Sequence, residues 1–165
     1  MMTPQLKERA ISVIVNNRPD VLARIAGTFS ARGFNIESIS ANITRNPAVT
    51  KIIITTLTTP DTIAKVIKQL NRLVDVLEAR RLRRPDAVRR EMILARVPLT
   101  GEGRAAIREL IDTRGGKMVN EEAGSAVLEF TGDTEELEEV LTRLEALGME
   151  DMSRTGVIAL ERRKP

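Results

Sequence analysis

The chain contains no cysteine, histidine, tryptophan or tyrosine. Without thiol or imidazole it can form no disulfide, offers no soft or nitrogen metal ligand, and lacks the commonest general acid/base. A zinc enzyme and a histidine-based triad are therefore excluded, and neither a metal site nor any catalytic residue is expected. No uninterrupted apolar run approaches the ~18 residues of a membrane span, and the stretch Met1 to Arg9 has no apolar signal core. A cytoplasmic location without membrane association is the expectation. Nor is there a strong excess of charge. The 26 basic and 23 acidic residues leave +3, too small a field to imply nucleic acid by itself.

What is present suffices to fold. Hydrophobic residues make up 42% of the 165 and charged ones 30%, ordinary for a globular protein, and the length allows one compact domain or two small ones. Ile11, Val13 and Val15 alternate as one face of a strand that Asn16-Asn17-Arg18-Pro19 breaks. Val21, Leu22, Ile25, Ala26 and Phe29 then recur at helical spacing as far as Gly33. Residues 35–44 and 50–58 read as paired strands. Pro60-Asp61 opens a second helix, and 74–82 is a further strand. The order is βαββαβ. After Arg83-Arg84-Pro85-Asp86 it repeats: a strand over 89–99, a helix over 104–111, a strand pair around Glu121-Glu122-Ala123-Gly124, a helix over 137–147 and a last strand over 155–160.

This predicts an α+β fold of two ferredoxin-like βαββαβ domains, 1–83 and 84–165, with the linker near Arg83 to Val88. Each domain is an antiparallel sheet with both helices on one face, since each helix has a single apolar stripe to bury. The consecutive Ile52, Ile53 and Ile54 make one strand apolar on both sides. That predicts a cover for the open face from another chain or from the second half, with oligomerisation the simplest answer.

The loop Asn16-Asn17-Arg18-Pro19-Asp20 lies between a strand end and a helix start, where unpaired backbone N–H groups and the positive end of the helix dipole attract carboxylates and phosphates. Asn35 opens the next strand. Amide side chains can donate to an amino acid's carboxylate and accept from its ammonium. The plainer alternative is that Asn16 and Asn17 only end a strand and cap a helix.

The run Asn17-Arg18-Pro19-Asp20-Val21-Leu22-Ala23-Arg24-Ile25-Ala26-Gly27, followed by Phe29-Ser30-Ala31-Arg32-Gly33-Phe34-Asn35-Ile36-Glu37-Ser38-Ile39, resembles an ACT domain. More narrowly it is similar to the small regulatory subunits of acetohydroxyacid synthase, or acetolactate synthase. The likeness continues through Lys68 to Val76, Val88 to Val97, Arg114-Gly115-Gly116-Lys117 and Ser153 to Leu160. It implies an N-terminal ACT half that forms a homodimer or higher oligomer and binds a branched-chain amino acid, usually valine, at the interface. A C-terminal ACT-like half would help activate a large catalytic subunit. Thiamine diphosphate, FAD and magnesium would belong to that partner, with no cofactor in this chain. By position in the resemblance, Asn17 holds the effector, backbone donors around Asp20 and Val21 face its carboxylate, and Asn35 with Ile36 completes the site from the neighbouring protomer. Asp20 departs from the usual glycine of the family and sets a negative charge where a carboxylate belongs. The plainer alternative is that Asp20 turns to solvent and stabilises its helix.

Other patterns point elsewhere. Gly101-Glu102-Gly103-Arg104-Ala105-Ala106 has the G-x-G-x-x-A form of a dinucleotide loop, with Glu121 and Glu122 near the place of a ribose-binding carboxylate. The hairpin that follows argues against a parallel nucleotide-binding sheet and hence against a nucleotide-dependent enzyme. Arg80-Arg81-Leu82-Arg83-Arg84, with Arg89 and Arg90, is the densest basic run, and βαββαβ is also the order of an RNA-recognition domain. Phe29, Phe34 and Phe130 are the only aromatic residues, and none forms the expected stacking pair on central strands. Glu135, Glu136, Glu138 and Glu139 fit the first turns of a helix better than a catalytic pair. A stand-alone ACT-type sensor acting on some other enzyme is the main alternative.

Overall fold

The computed structural model describes residues 6–122 and 124–162. Ala123, expected in a hairpin turn, and the side chain of Glu102, part of the glycine-loop reading, lie outside the described residues, as do residues 1–5 of the signal reading. The chain forms two compact units. One runs to Val88 and takes up the chain again from Gly156, and the other is Arg89–Thr155.

In the first unit β1 (Lys7–Asn16), α1 (Val21–Ser30), β2 (Ser38–Ile43), β3 (Val49–Thr58), α2 (Pro60–Leu70) and β4 (Val76–Leu82) follow the expected βαββαβ order. The sheet order is β2-β3-β1-β4, antiparallel throughout. Ile11 lies opposite Ile54 and Val13 opposite Ile52. This period-2 apolar face meets Val21, Ile25 and Phe29 of α1 and Ile63, Val66 and Leu70 of α2 in one buried cluster. Thr59 starts α2 by accepting from the Thr62 amide at 3.3 Å, with Pro60 at the first turn, where its missing N–H costs nothing.

Part of the opposite face of this sheet is covered by the chain's own C-terminal segment. Ile53 is 3% exposed because it packs with Ala10, Leu82, Ala87 and Val157 of the same unit. The covering segment also corrects the expected single strand over 155–160. The chain makes β8 (Asp151–Arg154), breaks at Thr155-Gly156-Val157, and resumes as β9 (Ile158–Glu161). Burying Val157 alone is worth about 1.5–3 kcal/mol. The burial explains why Gly156 and the residues after it group with the first compact unit.

The second unit contains β5 (Ala87–Pro98) from Arg89 onward, α3 (Gly101–Arg114), β6 (Lys117–Glu122), β7 (Ser125–Gly132), α4 (Thr134–Ala146) and β8, with sheet order β6-β7-β5-β8. β9 pairs with β5, the strand that carries the chain from one unit into the other. Ile93, Ala95 and Val97 of β5 pack with Leu128 and Phe130, with Ile107 and Leu110 of α3, and with Leu137, Val140, Leu141 and Leu144 of α4.

Local signals set the helix ends. Thr100 accepts from the Gly103 amide at 3.3 Å, and Gly115, at φ 65°, ends α3 in the left-handed conformation that glycine tolerates. Asp133 and Glu136 form a reciprocal capping box at α4. The G-x-G-x-x-A run is thus a helix start, and Glu121 is the ion-pair partner of Arg104 at 2.7 Å. β5 pairs antiparallel with both β7 and β8, so the parallel βαβ unit of a dinucleotide site is missing among the described residues.

Candidate effector site

The loop after β1 is built by backbone hydrogen bonds at both of its edges. The Asn16 amide donates to the Asp75 carbonyl at 2.9 Å and the Asn17 amide to the Ala48 carbonyl at 2.8 Å. The exposed side chain of Asn17 donates through Nδ2 to the Pro47 carbonyl at 3.0 Å, which leaves its Oδ1 and second N–H for a ligand. The Arg18 amide turns back onto the Asn16 carbonyl at 2.9 Å. Asp20 occupies the cap position at φ −94° and ψ −4°, and its side chain caps no amide. The Val21 amide has only a long contact of 3.4 Å to the Arg18 carbonyl, and those of Leu22 and Ala23 meet no acceptor among the described residues. These are the free donors expected of a helix start. The Val21 side chain is 3% exposed and belongs to the core, so only its backbone can meet a ligand.

Behind the loop sits Asp75, which the sequence reading did not single out. It is 5% exposed. Its carboxylate accepts from Asn16 Nδ2 at 3.3 Å and from Arg24, and faces Arg18 Nε at 3.4 Å. Burial pushes this carboxyl up. The bonds from Asn16 and Arg24 and the charges of Arg18 and Arg24 outweigh it and hold the group below its ordinary value. Arg24 also reaches Asp20 Oδ2 at 3.0 Å, one helical turn away. Asp20 is thus neither a free charge nor a cap: it is paired with an arginine that is itself anchored on a buried carboxylate.

Asn35 and Ile36 form a separate half. Asn35 is exposed, its carbonyl accepts from Thr56 Oγ1 at 2.6 Å, and Ile36 packs partly buried against the core. The register shows how far apart the halves are. Asn16 lies opposite Val49, whereas Asn35 is held by Thr56, seven residues along the same strand. At about 3.3 Å per residue that is roughly 23 Å. One chain does not bring the five residues together: Asn17, Asp20 and Val21 share one end of β3, and Asn35 and Ile36 the other.

Part of the basic run is engaged within the chain. Arg80 pairs with Glu161 and Glu78, and Arg83 with Asp86. Phe29 and Phe130 are 1% exposed, and Phe34 packs on the core, so none of the three stands on a sheet as a stacking platform. No described helix is long and apolar enough to cross a membrane.

Comparison with known proteins agrees with this architecture. Residues 11–78 match the family described as the AHAS small subunit-like ACT domain, and residues 90–163 match the family described as the small subunit of acetolactate synthase. A probable acetolactate synthase small subunit of Archaeoglobus fulgidus is 33% identical over 155 residues, covering 94% of this chain and 97% of that one. The chloroplastic acetolactate synthase small subunit 2 of Arabidopsis thaliana is 34% identical over 97% of this chain, which spans only 33% of that longer protein. The crystal structure of the acetolactate synthase small subunit from Thermotoga maritima superposes with a TM-score of 0.87 at 29% identity, covering 96% of this chain and 99% of that one. Two βαββαβ units in this order, each matched by its own family model, and full-length kinship to the archaeal protein establish that this chain belongs to the acetolactate synthase small-subunit family.

Proposed function

We propose that the chain is a noncatalytic regulatory subunit that activates a separate acetolactate synthase catalytic chain and carries a branched-chain amino acid at a site shared between two copies of itself. The observation that carries this reading is the split site. A helix start with free amides and the Asn17 amide group stands at one end of β3, and Asn35 with Ile36 at the other, roughly 23 Å away. A second copy related by a two-fold axis, so that opposite ends of the two β3 strands meet, would supply the missing half to each. Free amides at the helix start suit the effector's carboxylate, and the Asn17 side chain its ammonium. Thiamine diphosphate, flavin and magnesium belong to the catalytic chain in this reading.

Asp20 sets the strength of the feedback. A second carboxylate ~4 Å away would be repelled by about 1 kcal/mol in water and about 4 kcal/mol at an effective dielectric of 20. Arg24, 3.0 Å from Asp20, compensates that charge and places the repulsion near the lower figure. Binding is weakened several-fold and not abolished. The test mixes this chain with its cognate large subunit and follows pyruvate condensation with and without valine, leucine and isoleucine. Activation with co-elution supports the reading, and the absence of both overturns it.

A further inference from the structure

Residues 156–162 form a strap across the outer face of the first sheet, held at four places. Val157 is 2% exposed among Ala10, Ile53, Leu82 and Ala87. Lys51 Nζ donates to the Ala159 carbonyl at 2.9 Å, Arg80 pairs with Glu161, and the Arg162 amide donates to the Asp86 carbonyl at 2.9 Å. At its start the strap lies against backbone. A methyl group built on Gly156 would sit 2.9 Å from both C and O of Ile39 and 3.2 Å from N of Ser40. Any side chain there forces either the strap or β2 to shift.

The strands under the strap also hold half of the candidate site. Ile39 and Ser40 belong to β2, which begins at Ser38, with only Glu37 between it and Ile36. Ser40 lies opposite Ile53, the strand residue that packs on Val157. Three residues further along β3, Thr56 holds the Asn35 carbonyl at 2.6 Å. The strap's other end leads directly into the second unit. Thr155, the residue before Gly156, is tied to Met92 there by two 3.0 Å bonds, its amide to the Met92 carbonyl and the Met92 amide to its hydroxyl. A single peptide bond separates that anchor from the close approach on β2.

We infer that Gly156 and Val157 are positioning residues for the Asn35–Ile36 half of the effector site, and that docking of the strap is the step by which effector occupancy reaches the second unit. This inference rests on the effector-site reading above. The strap is either docked or released. An effector that binds better when β2 is held in place favours the docked state, and by linkage a change in docking alters effector affinity by the same factor. Such a role separates two quantities that general damage to the fold would lower together: effector affinity and activation without effector.

The experiment compares the full chain with Gly156→Ala, Val157→Ala and Lys51→Met. The last removes one hydrogen bond and leaves the core intact, so it carries the test if the other two fold poorly. Each protein is followed by hydrogen exchange of the β2 amides, by calorimetric titration with valine, and by activation of the cognate catalytic chain. Gly156→Ala is expected to speed exchange over Ser38–Ile43 and to weaken valine binding about tenfold, within the usual range of coupling between sites. Lys51→Met should move both in the same direction by less. Activation without valine should be unchanged, because a coupling and not the fold is altered. Unchanged β2 exchange, or faster exchange with unchanged valine affinity, overturns the inference while leaving the effector site standing. An unaltered chain that binds no branched-chain amino acid overturns the effector-site reading and this inference with it.

Discussion

Arg24 bridges two carboxylates of opposite character: the buried Asp75, 5% exposed, and the exposed Asp20 at 3.0 Å. The first holds the loop in place, and the second occupies the helix start that a ligand would use.

Replacing Asp75 with Asn should loosen the loop and lower the melting temperature, with a pH dependence of definite sign. Because the folded protein holds this carboxyl below its ordinary value, its contribution is fully present above the unfolded value of about 3.9 and disappears as pH falls through the folded one. The gap in melting temperature between the unaltered chain and Asp75→Asn should be constant above about pH 5 and narrow below about pH 4. A gap that widens on acidification would refute this assignment.

Replacing Asp20 with Gly should tighten branched-chain amino-acid binding by about fivefold, the equivalent of the ~1 kcal/mol repulsion in water. Loss of the exposed pair with Arg24 costs only about 0.2–0.5 kcal/mol of helix stability. Calorimetry measures the first quantity and thermal melting the second. Equal affinity in the two proteins would mean that Asp20 does not face the effector.

In the second unit Glu91 is 5% exposed and is held by Arg154 Nε at 2.6 Å and by the Thr134 hydroxyl, while Arg154 also reaches Glu138 at 2.6 Å. Burial lowers the tendency of Arg154 to hold its proton, and the bonds and charges of Glu138 and Glu91 reverse this and raise it. Arg154→Met leaves a buried carboxylate without its cation and should cost about 3–5 kcal/mol. Adding Glu91→Gln should recover part of that loss, and a double variant less stable than Arg154→Met in urea would contradict the pairing.

Gly116 lies under the ring of Phe130, and a methyl group there would come within 2.3 Å of Cε1. Gly116→Ala should cost about 1–3 kcal/mol through displacement of a fully buried ring. The expected reading is a lower urea midpoint with an unchanged slope.

The fold was legible because its signals are periodic and local. Ile11, Val13 and Val15 set the buried face of β1, and Asn17 to Asp20 mark the turn into α1 whatever happens elsewhere. Asp75 was not legible. One polar residue in Leu73-Val74-Asp75-Val76 has no period, and its partner Asn16 lies 59 residues away. The three consecutive isoleucines did announce a covered outer face, but nothing in them says what covers it. Val157 reads as ordinary core until the close approach of Gly156 to Ile39 is seen. The two halves of the candidate site were both legible, whereas their separation along β3 follows only from strand register.

The bond from Lys51 to the Ala159 carbonyl spans 108 residues, and this has a consequence for synthesis. The unit that leaves the ribosome first cannot complete its burial until the residues after Thr155 have also emerged, so early folding leaves Ile53 and its neighbours open while the second unit is being made. A premature stop just after Thr155 would spare every residue of the second unit, and the lesion would appear as aggregation of the first.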